Sequence, residues 1–130
     1  MKTLLPPGWP RPKGYANGVS AKGRVIVTAG VVGWDADEQF EDEHLVSQFR
    51  QVLRNILAIL AEDGAGPEHI VRMTWYVTDI PEYRFSLREI GAAWRELIGR
   101  HFPAMAVVGV TALVEPKAKI EIETMAVVPE

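Results

Sequence analysis

The chain has 130 residues, of which 48% are hydrophobic and 24% are charged, and its formal net charge is -3 at pH 7. This length fits one domain of about 100 to 150 residues, and the composition is too apolar for intrinsic disorder. The negative charge provides no basic field for phosphates, so we expect no nucleic-acid partner. Cysteine is absent, which excludes disulfides, thiolate catalysis and cysteine-based metal sites.

The first residues predict neither export nor membrane insertion. The apolar pair Leu4-Leu5 is followed at once by Pro6-Pro7, whereas a secretory signal needs an apolar run of about 7 to 15 residues. No apolar stretch approaches the roughly 20 residues that cross a bilayer. We therefore expect a cytoplasmic protein with no membrane partner.

Residues 1–130 are predicted to form a single domain, and residues 1–13 within it are predicted to be an extended proline-rich arm. Proline fixes φ and removes a backbone donor, which prevents a regular helix in this arm. Two short strands are predicted next, over Tyr15–Val19 and Arg24–Ala29. The link Ser20–Gly23 between them has the length of a hairpin loop. The glycine-containing segment after Gly30 is predicted to be irregular.

Two amphipathic helices alternate with the remaining strands. Apolar residues recur with helical spacing between Glu41 and Asp63, and again from Pro81 or Glu82 to about Ile98. The segment between them, Ile70–Val77, is rich in β-branched and aromatic residues and is predicted to be a strand. After Phe102-Pro103, two further strands are predicted, over Met105–Leu113 and Ala118–Val127.

The resulting order, ββαβαββ, predicts an α+β domain with both helices packed on one face of a mixed sheet. The opposite face of that sheet then lacks a cover. Apolar strand residues are expected to reach both faces: Val107, Val108, Val110, Ile120, Ile122 and Met125. A large apolar surface is rarely left in water, so we expect subunits to pack against this face.

No motif for a phosphate, cofactor or metal is found. The glycine groups at 30–33 and 64–66 match neither a Walker loop nor a dinucleotide fingerprint. The histidines His44, His69 and His101 do not have the spacing of metal ligands. We therefore predict no cofactor and no metal, with His101 either at the end of a helix or beside a site.

The segment Lys119–Thr124 contains the most notable charged residues. Strand alternation places Lys119, Glu121 and Glu123 on one face, opposite Ile120 and Ile122. One interpretation is a solvated, charge-paired strand face. The other is that subunit packing buries one carboxylate, which raises its pKa and makes it a candidate general acid or base.

Two aromatic residues could belong to a ligand site. Trp34 lies in the glycine-containing loop after a strand, where an aromatic side chain can form the wall of a pocket. Tyr15 follows the proline-rich arm and could present its hydroxyl to a ligand, although packing between strands would explain it equally well.

Taken in order, several short motifs resemble the RidA/YjgF family, the reactive-intermediate deaminases also described as endoribonuclease L-PSP. The likeness extends from about Gly14 to Val127 and is strong because the motifs occur in the same order and spacing. The motifs are Gly14-Tyr15 with Gly18-Val19, Val27–Gly30, Val77–Asp79, Phe102–Ala104 and Lys119–Glu123.

The resemblance implies a chorismate-mutase-like fold and a homotrimer with small-molecule clefts between subunits. It also implies hydrolysis of enamines and imines to a carbonyl compound and ammonia. Tyr15, Gly30 and Glu121 match cleft positions of the family, and Glu121 matches the glutamate associated with the attacking water. This chain departs from the pattern at Met105, where the family has an arginine that binds the substrate carboxylate.

Two functions therefore remain open. The preferred one is an enamine or imine hydrolase with Glu121 and Tyr15 in catalytic roles and a more apolar cleft shaped by Met105, Trp34 and Val107. Arg88 is a candidate replacement for the missing cation, although it could equally be a surface charge on a helix. The alternative is a trimeric binding protein without catalysis, and the ribonuclease activity reported for the family fits the acidic charge least well.

Overall fold

The computed structural model describes residues 1–130 and contains seven strands and three helices. The strands are β1 (Lys2–Leu4), β2 (Gly18–Ser20), β3 (Arg24–Val27), β4 (Val31–Val32), β5 (Ile70–Val77), β6 (Ala104–Gly109) and β7 (Ile120–Val128). The helices are α1 (Leu45–Ala61), α2 (Ile80–Phe85) and α3 (Leu87–Leu97), and a 3-10 turn covers Pro67–His69. No helix is both long enough and apolar enough to span a bilayer.

The central sheet has five strands in the order β3-β7-β5-β6, and β4 also pairs with β7. Strands β3 and β4 lie one after the other along the same side of β7, and both are antiparallel to it. On the other side, β5 is antiparallel to β7 and parallel to the edge strand β6. The predicted α+β fold with a mixed sheet is confirmed.

The core lies between the sheet and the helices. It combines the apolar stripe of α1, including Phe49 and Ile56, with the inward side chains of β5 and β7 such as Met73 and Ile122. Ile90 of α3 belongs to the same core. Period-3.6 spacing in the helices and period-2 spacing in the strands explain why these positions converge.

The predicted hairpin at the start of the chain is wrong. Strand β2 pairs with β1, the residues before the prolines, and forms a separate two-stranded sheet. Strand β3 instead takes its partners from Met125–Val128 at the end of β7. A four-residue link permits a hairpin but does not require one, and pairing with a central strand satisfies the backbone groups of β3 equally well.

Three other features differ from the predictions. The second helix is divided at Ser86, whose φ of -102° and ψ of 13° lie outside the helical range, so that α2 and α3 are separate. The segment after Gly30 is not wholly irregular, because Val31 and Val32 pair with β7. Strand β6 ends at Gly109, four residues before the predicted end at Leu113.

The sheet face opposite the helices carries exposed apolar side chains. Val25 and Val27 of β3 are 59% and 64% exposed, and Met125 of β7 is 38% exposed. Val108 of β6 lies on the same face, whereas Val107, Ile120 and Ile122 point toward the helices. The prediction that apolar residues occupy both faces is confirmed.

Candidate functional site

A cleft of about 600 Å³ lies between α3, the edge strand β6 and the segment that leads into β2. This volume is within the roughly 300–1,000 Å³ that is typical of small-molecule sites. Its apolar aliphatic lining comes from Leu87, Ile90, Met105 and Val107, and its aromatic lining from Tyr15, Trp75, Tyr83, Trp94 and Phe102. Lys13 and Arg95 also line it, and it contains no carboxylate.

Backbone contacts hold Tyr15 beside the start of β6. The amide of Ala16 donates to the carbonyl of Pro103 at 2.9 Å, and Ala16 forms a parallel bridge with Ala104. Tyr15 is 44% exposed and Met105 is partly buried at the next position of β6. Two residues far apart in the sequence, Tyr15 and Met105, are thereby brought to one cleft.

Two hydrogen bonds fix the segment at the aromatic side of the cleft. The indole Nε1 of Trp94 donates to the carbonyl of His101 at 3.1 Å, and the ring Nε2 of His101 donates to the carbonyl of Ile70 at 2.6 Å. These bonds order the segment that carries Phe102, whose ring stacks on Trp94 with centroids 6.3 Å apart. His101 therefore has a structural role behind the cleft.

Glu121 lies on the other face of the sheet, beside Gly30. A Cβ atom built on Gly30 would approach the Oε2 atom of Glu121 to 2.5 Å, so a side chain at this position would displace the carboxylate. Strand β4 pairs with β7 at Val32 and Glu121, so the backbone fixes this proximity. The half-buried carboxylate of Glu121 accepts no hydrogen bond within the chain.

The neighbouring charges of this face are already paired. The hydroxyl of Tyr76 donates to Oε1 of Glu123 at 2.7 Å, and this bond raises the pKa of Tyr76 above its usual range. Lys119 lies just before β7, and its Nζ donates to Glu82 at 2.9 Å rather than to either glutamate of the strand. The hydrogen bond to Glu82 raises the pKa of Lys119. Of the predicted charged set, Glu121 alone is left without a polar partner.

The predicted site residues thus form two groups. Tyr15, Met105 and Val107 line the cleft on the helix side of the sheet, whereas Gly30 and Glu121 meet on the opposite face. Strand β5 separates β6 from β7, so a single chain does not bring the two groups together.

Trp34 and Arg88 lie outside both groups. The ring of Trp34 packs on Phe40 with centroids 5.9 Å apart, and its carbonyl accepts a hydrogen bond from Asn55. Arg88 is exposed on α3 and does not line the cleft.

Sequence reasoning missed Arg95, the arginine of α3 that does line the cleft. Arg95 follows Gly91 by about one turn of α3, whereas Arg88 lies on nearly the same side of the helix about 10 Å earlier along its axis, because seven residues make two turns. Its position directly after Trp94, at the edge of the predicted apolar stripe, is the sequence signal that could have indicated Arg95.

Comparison with known proteins identifies the family of this chain. The model of the family described as Endoribonuclease L-PSP matches residues 10–128. This chain belongs to the RidA/YjgF family. The match spans both groups of site residues, so the family assignment covers the cleft and the Glu121 region alike.

Individual relatives resemble the chain over nearly its whole length. A RutC family protein of Aquifex aeolicus is 33% identical over 98% of this chain and 99% of its own. The 2-iminobutanoate/2-iminopropanoate deaminase of Salmonella typhimurium is 32% identical over 87% of this chain and 86% of its own. A solved structure, the Rid-family protein YyfB of Yersinia pestis, has a TM-score of 0.86 at 29% identity and covers 98% of both chains.

Proposed function

We propose that this protein hydrolyses the C=N bond of a reactive imine, formed directly or from its enamine tautomer, in clefts between the subunits of a cytoplasmic homotrimer. Water adds to the imine carbon, and the resulting carbinolamine loses ammonia to leave a carbonyl compound. Membership of the RidA/YjgF family supports this class of reaction, and a relative at 32% identity is named a 2-iminobutanoate/2-iminopropanoate deaminase.

The observation that carries the proposal is the unpartnered carboxylate of Glu121 beside Gly30. A carboxylate free of protein hydrogen bonds can accept a proton from water, and the absence of a side chain at Gly30 leaves the space that this carboxylate occupies. General base catalysis of this kind contributes typically about 10²- to 10⁴-fold to a rate. In the proposed reaction Glu121 takes the proton from the attacking water and returns it to the departing nitrogen.

Assembly supplies the missing half of the site. Tyr15 and Met105 lie at the edge strand of the sheet, whereas Glu121 lies on the face with the exposed side chains of Val25, Val27 and Met125. Packing of that face against the edge of a second subunit would cover the apolar side chains and bring Glu121 toward Tyr15. Tyr15 then orients the substrate with its hydroxyl.

Met105 favours a second candidate, a trimeric binding protein that catalyses nothing. A thioether offers no N–H or O–H donor to a carboxylate. The arginine that binds the substrate carboxylate in the family is therefore absent from β6. The ribonuclease activity in the description of the family is least favoured, because the cleft is mainly apolar and the chain is acidic.

Turnover of imines produced in situ by an amino-acid oxidase separates the two candidates. We expect faster release of ammonia with the protein than without it, and a loss of at least about 100-fold in Glu121→Gln. Glu123→Gln is the matched control, since Glu123 lies two residues along the same strand face and bonds to Tyr76. Absence of acceleration with every imine, beside thermal stabilisation by a ligand, would establish the binding protein instead.

A further inference from the structure

The cleft between α3 and β6 has an extended aromatic wall. Trp94 lies between Trp75, at a centroid distance of 6.0 Å, and Phe102, at 6.3 Å and nearly parallel. Tyr83 meets Trp75 edge-on with centroids 6.4 Å apart. Phe102 is 39% exposed, whereas Trp75 and Trp94 are each 4% exposed, so Phe102 presents most of this aromatic surface. Such a surface binds planar, apolar groups through stacking and edge contacts.

Cations stand beside this wall with no anion to balance them. Arg95 and Lys13 both line the cleft, no aspartate or glutamate does, and neither cation forms a salt bridge within the chain. The whole chain is acidic, so this local excess of positive charge is opposite to the overall balance. A free guanidinium next to an apolar cavity is suited to a carboxylate.

Arg95 lies close to Gly91 at the surface of the cleft. The Nη1 atom of Arg95 is 3.5 Å from the position that a Cβ of Gly91 would occupy, one helical turn earlier on the same stripe. The side chain therefore folds back over Gly91 on α3. Leu87 and Trp94 line the same cleft.

We propose that the ligand of this cleft is a 2-imino or 2-oxo acid with an aromatic side chain, whose carboxylate is bound by Arg95 and whose ring packs against Trp94 and Phe102. This inference rests on the proposed function for the imine chemistry, but the binding preference does not depend on turnover. Arg95 takes over the task that an arginine at the position of Met105 would perform. Met105 and Val107 then contact the apolar part of the ligand.

The aromatic preference follows from size as well as chemistry. A cavity of about 600 Å³ is in the range of drug-sized ligands and leaves most of its apolar lining uncovered around a three-carbon acid. A phenyl or indolyl group covers that lining and releases the water from it.

Calorimetric titration with phenylpyruvate and pyruvate tests the binding preference on the full-length protein. We expect phenylpyruvate to bind at least about tenfold more tightly than pyruvate. Burial of an aromatic ring contributes more binding free energy than the roughly 1.4 kcal/mol that a tenfold change in Kd requires. Arg95→Gln should weaken phenylpyruvate binding about 10- to 100-fold. Arg88→Gln is the matched control, since this arginine lies on α3 outside the cleft, and it should bind as the unaltered protein does.

Equal affinity for the two acids, or equal affinity of Arg95→Gln and Arg88→Gln for phenylpyruvate, would overturn the inference. Imine hydrolysis separates it from the proposed function. If phenylpyruvate binds as expected but no imine is hydrolysed, the proposed reaction fails and the ligand class stands. If the imine of alanine is hydrolysed faster than that of phenylalanine and Arg95→Gln changes neither rate, the reaction stands and the ligand class fails.

Discussion

At the scale of single residues, the proposed site depends on which side chains are left without partners. Glu123 and Lys119 are hydrogen-bonded to Tyr76 and Glu82, whereas Glu121 two positions away is not. A strand sequence with alternating charges does not distinguish these roles, because they depend on which neighbouring residue reaches each charge. The interpretation of the strand as a charge-paired face is therefore wrong, because Glu123 bonds to the neutral hydroxyl of Tyr76 and Lys119 pairs with Glu82.

Gly30 is expected to support turnover through its contact with Glu121, although it carries no functional group. In Gly30→Ala the new Cβ would lie 2.5 Å from Oε2 of Glu121 and displace the carboxylate, so we expect kcat/KM to fall at least about tenfold. The double variant Gly30→Ala/Glu121→Gln should be no slower than Glu121→Gln alone. A further loss in the double variant would show that Gly30 acts by another route.

The ionisation of Tyr76 at alkaline pH is expected to report on its hydrogen bond to Glu123. The hydrogen bond to Glu123 raises the pKa of the folded-state hydroxyl, so its contribution to stability is complete below the unfolded value near pH 10 and is lost as the pH rises through the higher folded value. Ultraviolet titration of tyrosinate should show Tyr76 ionising late. Glu123→Gln should ionise it earlier, and an unchanged titration curve would disprove the role of the bond.

At the scale of elements, Gln48 of α1 joins the helix layer to the start of β7. It is 2% exposed, and its Nε2 donates to the carbonyls of Asp42 and Lys117 while its Oε1 accepts from the amide of Lys119 at 2.7 Å. All three bonds go to backbone groups outside α1. This side chain therefore orders the segment that leads to Glu121.

Replacement of Gln48 should destabilise the fold measurably. Gln48→Leu removes the partners of a buried amide and two carbonyls, so we expect the free energy of unfolding to fall by about 1–3 kcal/mol. Urea denaturation measures it. Gln51→Leu is the control, because the Gln51 side chain bonds only to Asn55 on the same helix, and it should change stability by less than about 0.5 kcal/mol.

Long segments adopted the secondary structure that their local sequence pattern predicts. In short segments, tertiary pairing decided the outcome instead. The segment Ile70–Val77 forms a strand over its predicted residues, and α1 lies within its predicted limits. The short strands near the N-terminus took unexpected partners, because three or four residues fit several sheet edges. The split between α2 and α3 at Ser86 likewise had no proline or glycine to indicate it.

At the scale of the whole molecule, the proposed cleft combines residues of two subunits, and mixing of inactive variants tests this directly. Tyr15→Phe and Glu121→Gln would each impair every cleft of their own trimer. When the two are unfolded together and refolded in equal amounts, about a quarter of the clefts would pair an intact Tyr15 with an intact Glu121.

We therefore expect the refolded mixture to recover about a quarter of the unaltered turnover, measured as ammonia release. Mixing without unfolding is the control and should give no recovery. If the refolded mixture stays as inactive as its components, the two residues do not act in one cleft between subunits.

The sequence by itself determined the fold class, the family and the departure at Met105, because these depend on long periodic segments and on ordered motifs such as Phe102–Ala104. Only the tertiary structure decided that Arg95 rather than Arg88 reaches the cleft, since the two arginines lie on nearly the same side of α3, about 10 Å apart along its axis, and helical spacing does not distinguish them. It also decided that Tyr15 and Glu121 lie on opposite sides of one sheet. That separation arises from strand order, which brings together segments far apart in the chain and is not encoded in local spacing.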